Sequence, residues 1–185
     1  MHRVLLWLYP GAIYCDVAEA VHAVHADSRL AEIEVVGPKR GAVALGDGIS
    51  IRAAGPRSAA GSSGYVGLLI PGGEILEPLG DPEGLRALAR VASAPGIVVG
   101  AVDNGVVLLG AAGLLRGRRV THALRPPHAT PQQIATLGHY VEGAIDTDED
   151  LVADGPLLTA LGSARRELAR RFVARVRHLT GPGSA

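Results

Sequence analysis

Hydrophobic and polar positions change period several times along this chain, and each change predicts an element. Arg3 to Tyr9 is a near-continuous apolar run, the pattern of a strand buried on both faces, and Pro10-Gly11 ends it. From Asp16 to His25 the residues Val17, Ala20, Val21 and Val24 recur at helical spacing. Ile33 to Val36 predicts a second strand. Residues 37 to 64 are rich in Gly, Ala, Pro and Ser, with alternation at Ala42–Leu45 and Ile49–Arg52, which predicts a small antiparallel excursion in a loop. Val66 to Ile70 predicts a third core strand, stopped by Pro71-Gly72-Gly73.

The second half repeats the alternation. Asp81-Pro82-Glu83 opens a helix with Asp81 as N-cap and Leu85, Leu88, Ala89 and Val91 on its buried side; Ala94-Pro95-Gly96 closes it. Ile97 to Val102 predicts a buried strand, Asp103-Asn104-Gly105 a sharp turn, and Val106 to Leu109 the start of a helix reaching Leu115-Arg116-Gly117. Arg119 to His122 reads as a short strand and Pro126 to Pro131 as a loop. Val141–Ile145 and Leu151-Val152 read as short strands flanking the acidic turn Asp146–Asp150, and Leu157–Thr159 as another. Gly162-Ser163 caps a last helix with Leu168, Phe172, Val173 and Val176 on one face, and Gly181 to Ala185 is expected to fray. The alternation predicts one α/β domain over residues 1–180: a three-layer, flavodoxin-like sandwich, its sheet mostly parallel with helices on both faces.

Composition narrows the function classes. Hydrophobic residues are 48% of 185, but aromatics only 3%, so the core must be built of Ala, Val, Leu and Ile. Eighteen basic and 18 acidic residues cancel, so no global field favours nucleic acid. Arg116, Arg118 and Arg119 read as a solvated surface. The lone Cys15 excludes an intrachain disulfide and fits a reducing cytoplasm. Met1 to Leu8 is too short and too soon interrupted for a signal peptide, and no stretch approaches a membrane span. No Gly-x-Gly-x-x-Gly or Walker loop is present, so no nucleotide cofactor is expected. His22 and His25 lie three apart on the first helix, but no further ligand motif accompanies them, so no metal is expected.

In α/β proteins the carboxyl ends of strands are where ligands bind, and the turn at Asp103 falls at such an end. An Asp there is also a common N-cap, and Asp-Asn-Gly a common turn. The order of signals resembles the ThiJ/PfpI superfamily, relatives of class I glutamine amidotransferases. The resemblance runs through Tyr65-Val66-Gly67-Leu68-Leu69-Ile70-Pro71-Gly72-Gly73, Gly100-Ala101-Val102-Asp103-Asn104-Gly105, Gly113 to Thr121, and Leu151 to Ala160 with Gly162 and Glu167-Leu168-Ala169. It implies that Asp103 stands at the elbow where the family usually has Cys. It also implies that Asp16 stands where the family has an acid hydrogen-bonded to that Cys. Thiol-dependent chemistry is therefore not expected, and Cys15 reads as a small buried packing residue rather than a substitute. The resemblance also implies a homodimer.

Two carboxylates in one pocket cannot both ionise cheaply, so the pair shares a proton and one member is acid while the other is base. The expectation is a cofactor-independent acid/base enzyme, a lyase or hydratase or an isomerase or cyclase, acting on a small neutral metabolite through Asp16 and Asp103. The alternatives are a non-catalytic small-molecule-binding pseudoenzyme and a hydrolase with Asp103 as nucleophile. Gly72, Gly73, Asn104 and Gly105 are expected to turn backbone amides toward developing negative charge. Tyr14, Glu74, His122 and His128 are expected to border the crevice, and Trp7 to lie in the core or an interface.

Overall fold

The apolar runs of the sequence lie side by side at the centre of a seven-stranded sheet. The computed structural model describes residues 2–27, 29–61 and 64–181. Its strands are β1 (Arg3–Trp7), β2 (Glu32–Gly37), β3 (Gly41–Ala44), β4 (Ser50–Ala53), β5 (Gly55–Pro56), β6 (Tyr65–Ile70), β7 (Val98–Val102), β8 (Arg119–Val120), β9 (Ile145–Asp146), β10 (Leu151–Asp154) and β11 (Leu157–Ala160). Its α-helices are α1 (Ala18–Ala26), α2 (Leu76–Leu79), α3 (Pro82–Ala92), α4 (Gly105–Ala111), α5 (Pro131–Leu137) and α6 (Arg165–Thr180). The sheet order is β10-β11-β7-β6-β1-β2-β5, and every pairing is parallel except β10 with β11. The predicted antiparallel excursion is the separate hairpin β3–β4.

Parallel strands need cover on both faces. Helices α1 and α6 lie together over one face, with α6 against β6, β7 and β11; α3 and α4 lie together over the other. Helix α6 buries Leu168, Phe172, Val173 and Val176, the predicted face. Each is worth roughly 1.5–3 kcal/mol on full burial. Phe172, the only Phe, fits because β6 and β7 carry glycine beneath it: a Cβ on Gly67 or Gly100 would lie 2.6 or 3.2 Å from its ring. Trp7 is core, not interface, at 2% exposure.

Several predicted boundaries move, each for a local reason. Helix α4 closes at Ala111, short of Leu115, because Gly113 takes a positive φ of 78° and Leu114 N–H turns back to Leu109 O. Val141–Ile145 is not a strand: Gly143 turns at φ 85°, and only Ile145 and Asp146 pair, parallel to β8. His122 lies outside β8 for the same reason, since β9 offers only two residues to pair with. Helix α5 occupies the end of the predicted Pro126–Pro131 loop and beyond. Cys15 is exposed rather than buried, because it sits on the outer side of the 3-10 turn Tyr14–Asp16. Of the expected frayed tail, residues 182–185 lie outside the described residues. Among the described residues, no helix is long and apolar enough to cross a membrane.

Candidate active site

The sheet order reverses between β1 and β6, and the crevice opens there, at the carboxyl ends of β1, β6, β7 and β11. Each strand delivers one part. Beyond β1 the chain passes through Pro10-Gly11 into the turn Tyr14–Asp16, which places Asp16 at the sheet end, 7% exposed. Beyond β6 comes Pro71-Gly72-Gly73. Beyond β7 comes Asp103, and beyond β11 comes Gly162.

Asp103 is the only non-glycine with positive φ among the described residues, at 45°. The left-handed region costs an L-residue about 1–2 kcal/mol, least for Asp and Asn. The turn is held there by its surroundings. Asp103 N–H donates to Ala160 O at 2.9 Å, and Gly162 N–H donates to Asp103 Oδ1 at 3.0 Å. Gly105 has no room for a side chain, since a Cβ would lie 2.5 Å from Pro71 O.

The two acids share an economy of contacts. Gly72 N–H donates to Asp16 Oδ2 at 3.0 Å, just as Gly162 N–H donates to Asp103 Oδ1. Asp16 Oδ1 and Asp103 Oδ2 accept no hydrogen bond from the described residues. Both lie near one point: a Cβ placed on Gly162 would be 3.8 Å from Asp16 Oδ1 and 2.9 Å from Asp103 Oδ2. Burial pushes the Asp16 carboxyl up to about 6; the Gly72 hydrogen bond opposes this, the Asp103 charge adds to it, and Arg165 pulls it down. Burial also raises Asp103, opposed by the Gly162 hydrogen bond and by His128. Both carboxyls are thus shifted upward chiefly by burial, and the Asp103 charge adds to the shift of Asp16.

A cavity of about 270 Å³ opens over the pair, lined by Ile13, Asp16, Gly73, Asp103, Asn104, Ala123, Leu124, His128, Ala129, Gln133 and Leu137. A neighbouring cavity of about 190 Å³ shares Gly73, Asn104, Gln133 and Leu137 with it and carries Glu74, exposed at its rim. Gly73 takes φ 121°, and a Cβ there would lie 2.3 Å from Gly11 O. Its N–H and that of Asn104 find no acceptor among the described residues, while the Asn104 Nδ2 donates to Gly73 O at 3.0 Å and ties the two turns together. Gly73 and Asn104 are therefore the amides at the cavity.

Four sequence expectations need correction. The Gly72 amide is spent on Asp16, so it does not face a ligand. Gly105 is buried beneath the turn and lines neither cavity. His122 is buried behind the wall: its Nδ1 accepts from Leu124 N–H at 3.2 Å, and its Nε2 lies 3.8 Å from Asp146 Oδ1. Burial lowers its pKa against the pull of Asp146. Tyr14 also lines neither cavity, because the 3-10 turn that brings Asp16 inward carries Tyr14 toward Asp47. His128 and Asn104 do line the cavity. Among the described residues no cluster of His, Cys, Asp or Glu is arranged to hold a metal ion.

The sequence reading missed the wall that α5 supplies, Gln133 and Leu137. The signal was readable: Thr130 Oγ1 accepts from Gln133 N–H at 3.2 Å and Gln133 Oε1 accepts from Thr130 N–H at 2.9 Å, a capping box with Pro131 at the first turn. It also missed Gly162 as a site residue and Arg165, whose guanidinium donates to Gly162 O at 2.9 Å.

The profile of the DJ-1/PfpI family matches residues 2–175, and the chain belongs to that family. Solved structures share the fold. A two-domain protein from Anabaena variabilis with DJ-1/ThiJ/PfpI-like and ferritin-like domains is 21% identical with a TM-score of 0.79; the match covers 95% of this chain but 48% of that one. This chain thus spans about half of that relative. A DJ-1 superfamily protein from Agrobacterium tumefaciens is 21% identical, covered at 98% and 93%, with a TM-score of 0.78. Drosophila melanogaster DJ-1beta is 19% identical, covered at 96% and 95%, with a TM-score of 0.73. No curated protein matches the chain.

Proposed function

We propose that this member of the family is a cofactor-independent acid/base enzyme, a hydratase or lyase or an isomerase or cyclase, working on a small neutral molecule. One observation carries the reading: the unengaged oxygens of two partly desolvated carboxylates, Asp16 Oδ1 and Asp103 Oδ2, lie around one point beside a cavity of about 270 Å³. In a hydration, Asp103 takes a proton from water as the oxygen attacks. Asp16 gives its proton to the substrate atom that gains electrons. The pair then returns to its singly protonated state by passing one proton from Asp103 to Asp16. Positioned proton transfer of this kind supplies about 10²–10⁴-fold. The unspent N–H groups of Gly73 and Asn104 are suited to a developing oxyanion, where losing one donor costs on the order of 10²–10³-fold.

The cavity wall supports a neutral substrate. Ile13, Ala123, Leu124, Ala129 and Leu137 are apolar, and among the described residues no Lys or Arg lines it to neutralise a phosphate. A homodimer in the cytoplasm is part of the same reading, resting on the family resemblance and on the single exposed thiol of Cys15.

The test is a panel of small isonitriles, lactones and hydroxyketones, followed by proton NMR for hydration, ring opening or isomerisation. The expected result is turnover of one class, bell-shaped in pH and reduced at least 100-fold in both Asp16→Asn and Asp103→Asn. Ligand binding without turnover would replace the proposal with a sensor. An adduct on Asp103 after acid quench would replace it with nucleophilic chemistry.

A further inference from the structure

Tyr9 is the most deeply buried titratable side chain near the site, with no exposure at all, and acid/base chemistry at the aspartates makes no direct use of it. Its hydroxyl donates to Pro71 O at 2.6 Å. The carbonyl of Pro71 and the N–H of Gly72 belong to one peptide group, and that N–H donates to Asp16 Oδ2 at 3.0 Å. Both polar ends of a single buried peptide plane are therefore engaged, one by a phenol from the end of β1 and the other by the carboxylate. Gly105 closes the remaining side, since a Cβ there would press on Pro71 O at 2.5 Å. The following peptide is held as firmly, with Ile13 N–H donating to Gly72 O at 2.9 Å.

We propose that Tyr9 is a positioning residue that acts on Asp16 through the Pro71–Gly72 peptide, polarising and aiming the Gly72 N–H so that it stabilises the Asp16 carboxylate. Hydrogen bonds in a chain strengthen one another, by about 10–30% per bond. A carbonyl that accepts from a phenol draws electron density from its own amide nitrogen, so its N–H becomes a better donor. A better donor to a carboxylate favours the charged form and lowers its pKa. Tyr9 thereby limits how far burial and the Asp103 charge can raise Asp16. Burial, chiefly, pushes the phenol well above its ordinary range, so it stays a donor throughout the titration of Asp16. The other charged groups acting on Asp16 are Asp103, Arg165 and Asp47; those acting on Tyr9 are Asp16, Arg57, Asp103 and Glu74. The substitution Tyr9→Phe leaves all of them in place and removes one oxygen.

The meaning of the relay for catalysis rests on the proposed acid/base reading, but its test needs no substrate. Asp carboxyl carbons are labelled with carbon-13, Asp16 is assigned by its loss in Asp16→Asn, and its titration is followed by NMR in wild type and Tyr9→Phe. The expected result is a rise in the Asp16 pKa of roughly 0.2 to 0.7 unit in Tyr9→Phe, with the Gly72 amide proton moving upfield. Val4→Ala, a core truncation on β1, is the control for destabilisation and leaves the Asp16 titration where it was. An unchanged Asp16 pKa in Tyr9→Phe, or an equal rise in Val4→Ala, overturns the relay while leaving the aspartate pair untouched. If Tyr9→Phe does not fold, the wild-type spectrum decides: a Gly72 amide that does not follow the Asp16 titration overturns the relay equally.

Discussion

Gly162 holds Asp103 from two directions: its N–H donates to Oδ1 at 3.0 Å, and its α-carbon is so near that a Cβ would lie 2.9 Å from Oδ2. The same Cβ would reach to 3.8 Å from Asp16 Oδ1. Gly162→Ala therefore fills the space between the two acids. The atom that must yield is the end of a side chain, so folding is expected to lose no more than about 1–2 kcal/mol. Turnover, measured on whichever panel compound reacts, is expected to fall at least tenfold, because Asp103 must turn from the position its partner requires.

The Asp16 carboxyl makes stability fall as pH rises. Its folded pKa, about 6, lies above the ordinary 3.8, so between these values the unfolded chain loses the proton first. The folded state is then progressively disfavoured, and the full penalty is present above pH 6. A shift of this size corresponds to roughly 2–3 kcal/mol. Asp16→Asn keeps an acceptor for Gly72 N–H but carries no charge. It is expected to be more stable than wild type by roughly 2 kcal/mol at pH 8 and no more stable at pH 3.5, as read by urea unfolding at both pH values.

Arg57 is buried to 1% exposure, with paired hydrogen bonds to Glu77 at 3.0 and 2.9 Å, a contact to Asp81 at 2.9 Å and one to Leu8 O at 3.3 Å. It fastens the start of α3 and all of α2 to the end of β1. Arg57→Met leaves both acids without their cation, and one of them, Asp81, caps α3 through Gly84 N–H. Because Glu77 and Asp81 reach solvent, the expected loss is about 3 kcal/mol, at the lower end for a broken buried pair. Chemical denaturation checks it.

Gly67 and Phe172 are a matched pair across β6 and α6. A Cβ on Gly67 would lie 2.6 Å from the Phe172 ring and 3.1 Å from Val4. Gly67→Ala is expected to cost about 1–3 kcal/mol by overpacking. Adding Phe172→Leu is expected to recover part of that loss in a double-mutant cycle, since the ring is what the methyl meets.

The strands were legible because a strand buried on both faces is a short unbroken apolar run closed by turn residues, as Arg3–Tyr9, Val66–Ile70 and Ile97–Val102 are. Helix α5 escaped because it buries no residue, so periodicity had nothing to register, although Thr130 and Gln133 announced its start. Arg57 was illegible for a different reason: its acidic partners lie 20 and 24 residues away and meet it only after folding. The pairing of Asp16 with Asp103 entered through the family resemblance, and the fold brings both to one cavity. The misreading of Gly72 shows where sequence runs out. The peptide there is held by groups remote in sequence, Asp16 at its N–H and Tyr9, 62 residues from Pro71, at its carbonyl, and no local pattern records such contacts.

The most direct measurement is the carbon-13 titration of Asp16 in wild type and in Asp103→Asn. The shared-proton pair predicts a wild-type pKa near 6 that falls when the Asp103 charge is removed, yet stays above the ordinary value because burial is the larger cause. An Asp16 that titrates in the ordinary carboxylate range, or one whose pKa is the same with and without the Asp103 charge, would contradict it.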